Sequence, residues 1–226
     1  VDEVILEEFI RSLDSQFEGI HSVMVLRNGK VICEGWWSPY HSEDNHMLFS
    51  LSKIFTSTAV GMAVEEGHIA IDDTVADYFP KDLPDDPNYN LKAMRVRDLL
   101  TMTTGHQEEP PINSKEMSVR AFFETEVEHQ PGTHFKYNTP ATFVQSALVQ
   151  KVTGQKVFNY LKSRLFEPLG IKHPQWSDNF QGISLGGYGL RLRTEDIAKV
   201  GQLYLQKGRW GKKIILEEDW VDMATS

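Results

Sequence analysis

The sequence predicts an α+β fold: a mainly antiparallel sheet backed by an N-terminal helix and joined to a helical subdomain. Three observations carry this. First, Asn28-Gly29 separates two β-rich runs, 21–27 and 30–37, and both positions of a tight hairpin turn need positive φ, which Asn and Gly tolerate best. Second, from Leu51 onward the apolar residues fall into helical spacing. Third, nearly everything between about 68 and 210 reads as helices and loops, so convincing strands are confined to the hairpin. The expected division is residues 1–66 as the N-terminal part of the sheet subdomain, 67–192 as the helical subdomain, and 193–226 as helices leading back to the sheet.

Each element has its own signal. Leu6, Phe9, Leu13 and Phe17 recur close to a helical period, with acidic residues near the start, and predict a helix over 3–17. The first hairpin strand is apolar on both faces, which predicts a sheet covered on both sides. After the polar stretch Ser38–His46, the stripe Leu51, Ile54, Phe55, Thr58 and Met62 predicts a helix that Gly67 ends. Further helices are expected over 95–103, 117–128, 140–153, 156–166 and 195–206, the last capped by Thr194. Two strands alone make a marginal sheet, so others are expected near 183–192 or past Ser226.

Composition narrows the functional classes. The chain has 226 residues, 40% of them hydrophobic, enough for a sizeable core. Its net charge of −9 repels a phosphate backbone and argues against nucleic acid as a partner. No apolar run is long enough to span a membrane, and the single cysteine, Cys33, can build neither an internal disulfide nor a thiolate metal site. No cofactor is expected, and the histidines lack metal-ligand spacing. The chain opens on Val1, so a removed leader would leave no trace, and the compartment stays unassigned. It stops within a helical pattern at Ser226, which predicts a fragment.

Ser50-Leu51-Ser52-Lys53 fits S-x-x-K, a tetrapeptide that chance alone supplies about once in a chain of this composition. Context gives it weight. Positions i and i+3 share a helix face, so Ser50 and Lys53 can meet. A helix start offers N–H groups and a positive dipole end, which favour an oxyanion. A lysine packed against a buried helix loses hydration and gains a neutral form able to take a serine proton.

Further along, Gln130-Pro131-Gly132 leads to Tyr137-Asn138-Thr139 just before Pro140 opens a helix. S-x-x-K followed by such a tyrosine motif resembles the class C β-lactamases and their relatives, the D-alanyl peptidases, carboxylesterases and amide hydrolases. Leu99–His106, Leu165–Ile171, Gly186–Leu190 and Thr194–Ala198 resemble the same family in the same order. The resemblance implies a β-lactamase/transpeptidase-like fold and a small-molecule ester or amide substrate. It implies Ser50 as nucleophile, Lys53 as its proton partner, and Tyr137 as the phenol that passes the proton to the leaving group. Thr139, where the family has Asn or Ser, is the candidate substrate-binding residue; without a carboxamide it suits ester cleavage better than β-lactam or peptide recognition.

The family's third motif, K-T-G or H-x-G on a sheet-edge strand, is absent, and Lys151-Val152-Thr153-Gly154 does not replace it. That strand would supply an oxyanion donor, so the site is expected to be incomplete, with the missing C-terminal segment, covalent or as a separate chain, a candidate partner. Two functions therefore compete: a serine hydrolase working through an acyl-enzyme, and a non-catalytic scaffold or ligand-binding module that keeps the fold. Several other residues read as structural: Glu167 as a helix-exit turn, His106 as a satisfied loop histidine, and His129 and His134 as surface groups. So do Trp36-Trp37 and Cys33 as packing residues, and Lys207, Arg209, Lys212 and Lys213 as a solvated turn. The glycines at 182, 186, 187 and 189 read as a flexible turn at the cleft edge.

Overall fold

The computed structural model describes residues 3–226 and holds ten α-helices and seven strands in that span. In chain order these are α1 (Glu3–Gln16), β1 (Ser22–Arg27), β2 (Lys30–Trp36), β3 (His46–Met47), a short 3-10 turn (Phe49–Leu51) and α2 (Ser52–Glu65). Then come α3 (Val75–Tyr78), α4 (Tyr89–Ala93), α5 (Val96–Leu100), α6 (Val119–Glu124), α7 (Thr139–Thr153) and α8 (Val157–Leu161), which runs into a π-turn (Lys162–Phe166). The chain closes with β4 (Gln175–Trp176), β5 (Leu190–Leu192), α9 (Thr194–Leu205), β6 (Arg209–Trp210), β7 (Lys213–Ile214) and α10 (Glu218–Ala224).

β1 and β2 form the expected antiparallel hairpin, with Asn28 at φ 52° and Gly29 at φ 72° in the turn. The expectation of burial on both faces fails: β1 is half-buried, and α1 contributes no buried residue. Trp37 Nε1 ties the hairpin to α1 by donating to Asp14 Oδ1 at 2.9 Å. A second antiparallel sheet, in the order β3-β5-β4, has strands of two or three residues. Its central strand falls in the 183–192 stretch where one was expected; its edges were illegible because two-residue strands carry no period. The basic run read as a solvated turn is a small β6–β7 hairpin.

The core is helical. α2 and α7 lie at its centre, and from Ala59 to Ala63 every residue of α2 is buried, as is every residue from Pro140 to Val149 of α7. The stripe read for α2 is therefore too narrow: Ile54 is exposed, while Thr56 and Ala63 are fully buried. Gly61 permits a close crossing, since a Cβ there would sit 2.5 Å from the Trp220 indole of α10. At the start of α9 the cap is not Thr194. Arg193 precedes the helix and grips the fully buried Asp196 through two nitrogens at 2.9 and 3.2 Å. The Thr194 hydroxyl instead meets Ser22 Oγ at 2.7 Å, fastening α9 to β1. Among the described residues no helix is long and apolar enough to cross a membrane.

Candidate active site

Ser50 sits one step earlier than the sequence suggests, in the 3-10 turn that feeds α2 rather than in its first α-turn. The residue before it, Phe49, has φ 45°, a left-handed conformation that costs a non-glycine residue about 1–3 kcal/mol. The Phe49 ring is 70% exposed, so packing of the ring does not account for that backbone. The strained turn sets Ser50 at the surface end of an otherwise buried helix.

Lys53 lies one turn on, and its Nζ donates to Ser50 Oγ at 3.1 Å. The same nitrogen donates to the Gly187 carbonyl at 2.8 Å and lies 3.5 Å from Thr139 Oγ1. Tyr137 comes from the far side of the sequence, and its hydroxyl donates to Ser50 Oγ at 2.7 Å. Lys53 Nζ is 5.0 Å from the centre of the Tyr137 ring. The structure thus brings Ser50, Lys53, Tyr137 and Thr139 into one cluster. The Tyr137 phenol titrates below an ordinary tyrosine: burial pushes it up, but its contacts with Ser50 and Lys53 and the lysine charge outweigh that push.

A buried bracket holds Tyr137 in place. Lys136 N–H donates to the Met102 carbonyl at 3.1 Å and Gly132 N–H to the Thr103 carbonyl at 2.8 Å, so the tyrosine segment lies along the 102–104 turn. Asn138, fully buried, caps α7 by accepting from Ala141 N–H at 2.9 Å and donates Nδ2–H to Thr104 Oγ1 at 3.3 Å. The Thr104 hydroxyl contacts His106 Nδ1 at 2.9 Å, and His106 Nε2 lies 3.3 Å from the Phe122 carbonyl. His106 is therefore a buried support, and burial holds its imidazole below the ordinary value. His129 and His134 pack ring to ring at 4.2 Å, and no metal-holding group of three or more ligand side chains exists among the described residues.

The segment 186–189 forms the other wall. Thr56 Oγ1 donates to the Gly186 carbonyl at 2.9 Å, and Ser52 Oγ accepts from Leu190 N–H at 3.3 Å. Gly187 must be glycine here, because a Cβ would fall 2.6 Å from Thr139 Cγ2. The sequence marked these glycines as a cleft edge but gave no sign that a main-chain carbonyl among them would hold the lysine. An apolar cavity of about 490 Å³ is lined by Lys53 together with Ile54, Leu100, Met102, Ile197 and Tyr204. Ser50 and Tyr137 do not line it, so it meets the cluster only at Lys53.

Comparison with known proteins places this geometry in context. The family model described as Beta-lactamase matches residues 7–202. A Salmonella schwarzengrund protein provisionally named D-alanyl-D-alanine carboxypeptidase is 24% identical over 200 residues, covering 76% of this chain and 46% of that protein. The 6-aminohexanoate-dimer hydrolase of Paenarthrobacter ureafaciens is 23% identical over 222 residues, covering 88% of this chain and 55% of that one. The chain thus spans about half the length of these curated relatives. Among solved structures, the octameric penicillin-binding protein homologue from Pyrococcus abyssi superposes with a TM-score of 0.75 at 19% identity, over 98% of this chain and 59% of that one.

Proposed function

Because the chain belongs to the Beta-lactamase family, whose named relatives include hydrolases, we propose that it cleaves an ester or amide through an acyl-enzyme on Ser50. The observation that carries this reading is that Lys53 Nζ and Tyr137 Oη both lie within hydrogen-bond reach of one serine oxygen. A serine nucleophile needs a nearby proton acceptor, and a scaffold has no use for two.

In this reading Ser50 Oγ attacks the substrate carbonyl carbon, and its proton passes to the neutral amine of Lys53. The carbonyl π pair moves onto oxygen, where the Ser50 N–H is one donor to the developing charge. Collapse expels the leaving group, which takes a proton from the Tyr137 hydroxyl as Lys53 restores it. Water then attacks the acyl carbon and gives a proton to the same pair, which returns one to Ser50 Oγ as the bond between that oxygen and the acyl carbon breaks and the acid leaves. The lowered phenol of Tyr137 favours both halves, because a proton relay works best when its pKa approaches the working pH. The activity of the whole protein, including any second oxyanion donor, belongs to this proposal.

Intact-mass measurement after treatment with a fluorophosphonate tests it. The expected result is one adduct on the wild type and none on Ser50→Ala, together with hydrolysis of p-nitrophenyl esters by the wild type alone. No adduct and no ester hydrolysis would leave the non-catalytic scaffold as the better reading, and esterase activity that survives Ser50→Ala would remove Ser50 as the nucleophile.

A further inference from the structure

The loop between His106 and Met117 borders the same cleft as Ser50, and no sequence signal drew attention to it. Tyr188 Oη donates to the Ile112 carbonyl at 2.9 Å, joining this loop to the wall that carries Gly187. Glu109, on the same loop, accepts the Thr139 N–H through Oε1 at 3.0 Å. Thr139 in turn lies against Lys53 Nζ, and Tyr137 is two residues earlier. The Glu109 charge is felt at the phenol, where it opposes the lowering by Lys53. Glu109 is exposed, and among the described residues no Lys, Arg or His forms an ion pair with it. One backbone N–H uses part of the acceptor capacity of a carboxylate and leaves its charge uncompensated.

We propose that Glu109 is a specificity residue of this cleft, favouring substrates that carry an ammonium or similar cation and disfavouring anionic ones. The proposal rests on the hydrolase reading of the Ser50 site and narrows its substrate class. A unit charge at contact distance in water is worth about tenfold in binding or less, with opposite sign for cation and anion, and it fades with salt. The net charge of −9 adds a longer-range bias of the same sign. A substrate bearing a free carboxylate beside its scissile bond would meet repulsion at this lip. A purely structural role for Glu109, as an acceptor at the start of α7, would be met almost as well by the neutral amide of glutamine. The two roles are therefore separable.

The test is ligand-observed NMR titration of the protein with benzylamine and with benzoate, at low salt and in 1 M NaCl, for the wild type, Glu109→Gln and Glu109→Lys. The expected result is that the wild type binds benzylamine at least about tenfold more tightly than benzoate at low salt. That gap should close to about threefold or less in high salt and in Glu109→Gln, and Glu109→Lys should reverse it. Equal binding of the two ligands by the wild type, no binding of the amine at tens of millimolar, or a preference that survives Glu109→Gln would overturn the proposal. If Glu109→Gln does not fold, the salt response of the wild type and the sign of the preference in Glu109→Lys decide. Turnover is read separately, with alanine p-nitroanilide against its N-succinyl derivative. A charge preference in binding without turnover of either anilide, without p-nitrophenyl ester hydrolysis and without a fluorophosphonate adduct would sink the hydrolase reading and leave the role of Glu109 intact.

Discussion

Lys53 Nζ lies closer to the Gly187 carbonyl, at 2.8 Å, than to the serine it faces, at 3.1 Å. The Lys53 nitrogen is thus aimed by a main-chain oxygen of a distant loop, with Ser50 Oγ as its second partner. A side chain at position 187 would be driven into Thr139, whose Cγ2 would lie 2.6 Å from the new Cβ, and would force the loop away from Lys53. Gly187→Ala should destabilise by about 1–3 kcal/mol through overpacking. It should also cost about 10²-fold in kcat/KM, because a displacement of 1 Å misplaces the lysine. Urea unfolding and ester hydrolysis of the same sample check both, and an unchanged kcat/KM would mean that the carbonyl does not aim the lysine.

Tyr137→Phe keeps the ring beside Lys53 and removes only the hydroxyl 2.7 Å from Ser50. Loss of a proton relay typically costs about 10²–10⁴-fold in rate. We expect that loss in kcat with little change in stability, since the side chain is 48% exposed. The wild type should also show a limb in kcat/KM against pH below the ordinary tyrosine value of 10, which Tyr137→Phe abolishes. A pH profile identical in the two proteins would remove Tyr137 from the chemistry.

Asn138 differs from its neighbour Tyr137 in being fully buried with both ends of its amide engaged. Truncation to alanine removes the cap of α7 and takes one of its two side-chain partners from the buried Thr104 hydroxyl. Together these should cost about 2–3 kcal/mol. The measurement is the shift in urea midpoint at constant slope, and Asn138→Ser, which can still cap the helix, should recover part of it. A cost near zero would mean that the 136–138 segment is held by its main-chain bonds alone.

Acid should weaken the fold through two imidazoles. His46 is held below its ordinary value by burial first and by the nearby His21 second, with Asp44 opposing, and its Nδ1 is 3.1 Å from His21 Nδ1. His106 is lowered by burial, against smaller opposing contributions led by the Phe122 carbonyl. The folded state keeps both neutral where the unfolded chain already binds protons. Their contribution to stability is therefore present above the unfolded value of 6.5 and is lost as pH falls below it. Each group contributes a slope of at most about 1.4 kcal/mol per pH unit. Thermal unfolding should show a lower midpoint at pH 5.5 than at pH 7.5, with His106→Asn flattening the slope. A midpoint that rises on acidification would contradict this assignment.

The sequence by itself determined whatever depends on neighbours along the chain. Asn28-Gly29 dictated the hairpin because its backbone angles are available to those two residues and few others. Spacing alone let Lys53 reach Ser50, because residues three apart on a helical turn face each other. The tyrosine motif pointed to Tyr137 and the Gly186-Gly187 pair to a cleft edge, although neither carried a distance. Tertiary structure decided whatever depends on residues far apart in sequence and unpatterned. The Gly187 carbonyl, the Thr104–His106 bracket beneath Asn138, and Glu109 on its loop all act through contacts across 30 residues or more, or through main-chain atoms common to every residue. The same reason hid the edges of the second sheet, since strands as short as His46–Met47 are set by the strand they pair with. Amphipathic pattern likewise misread α2 at Ile54 and missed Thr56 and Ala63, because a helix buried over most of its surface has little polar face to give its orientation away.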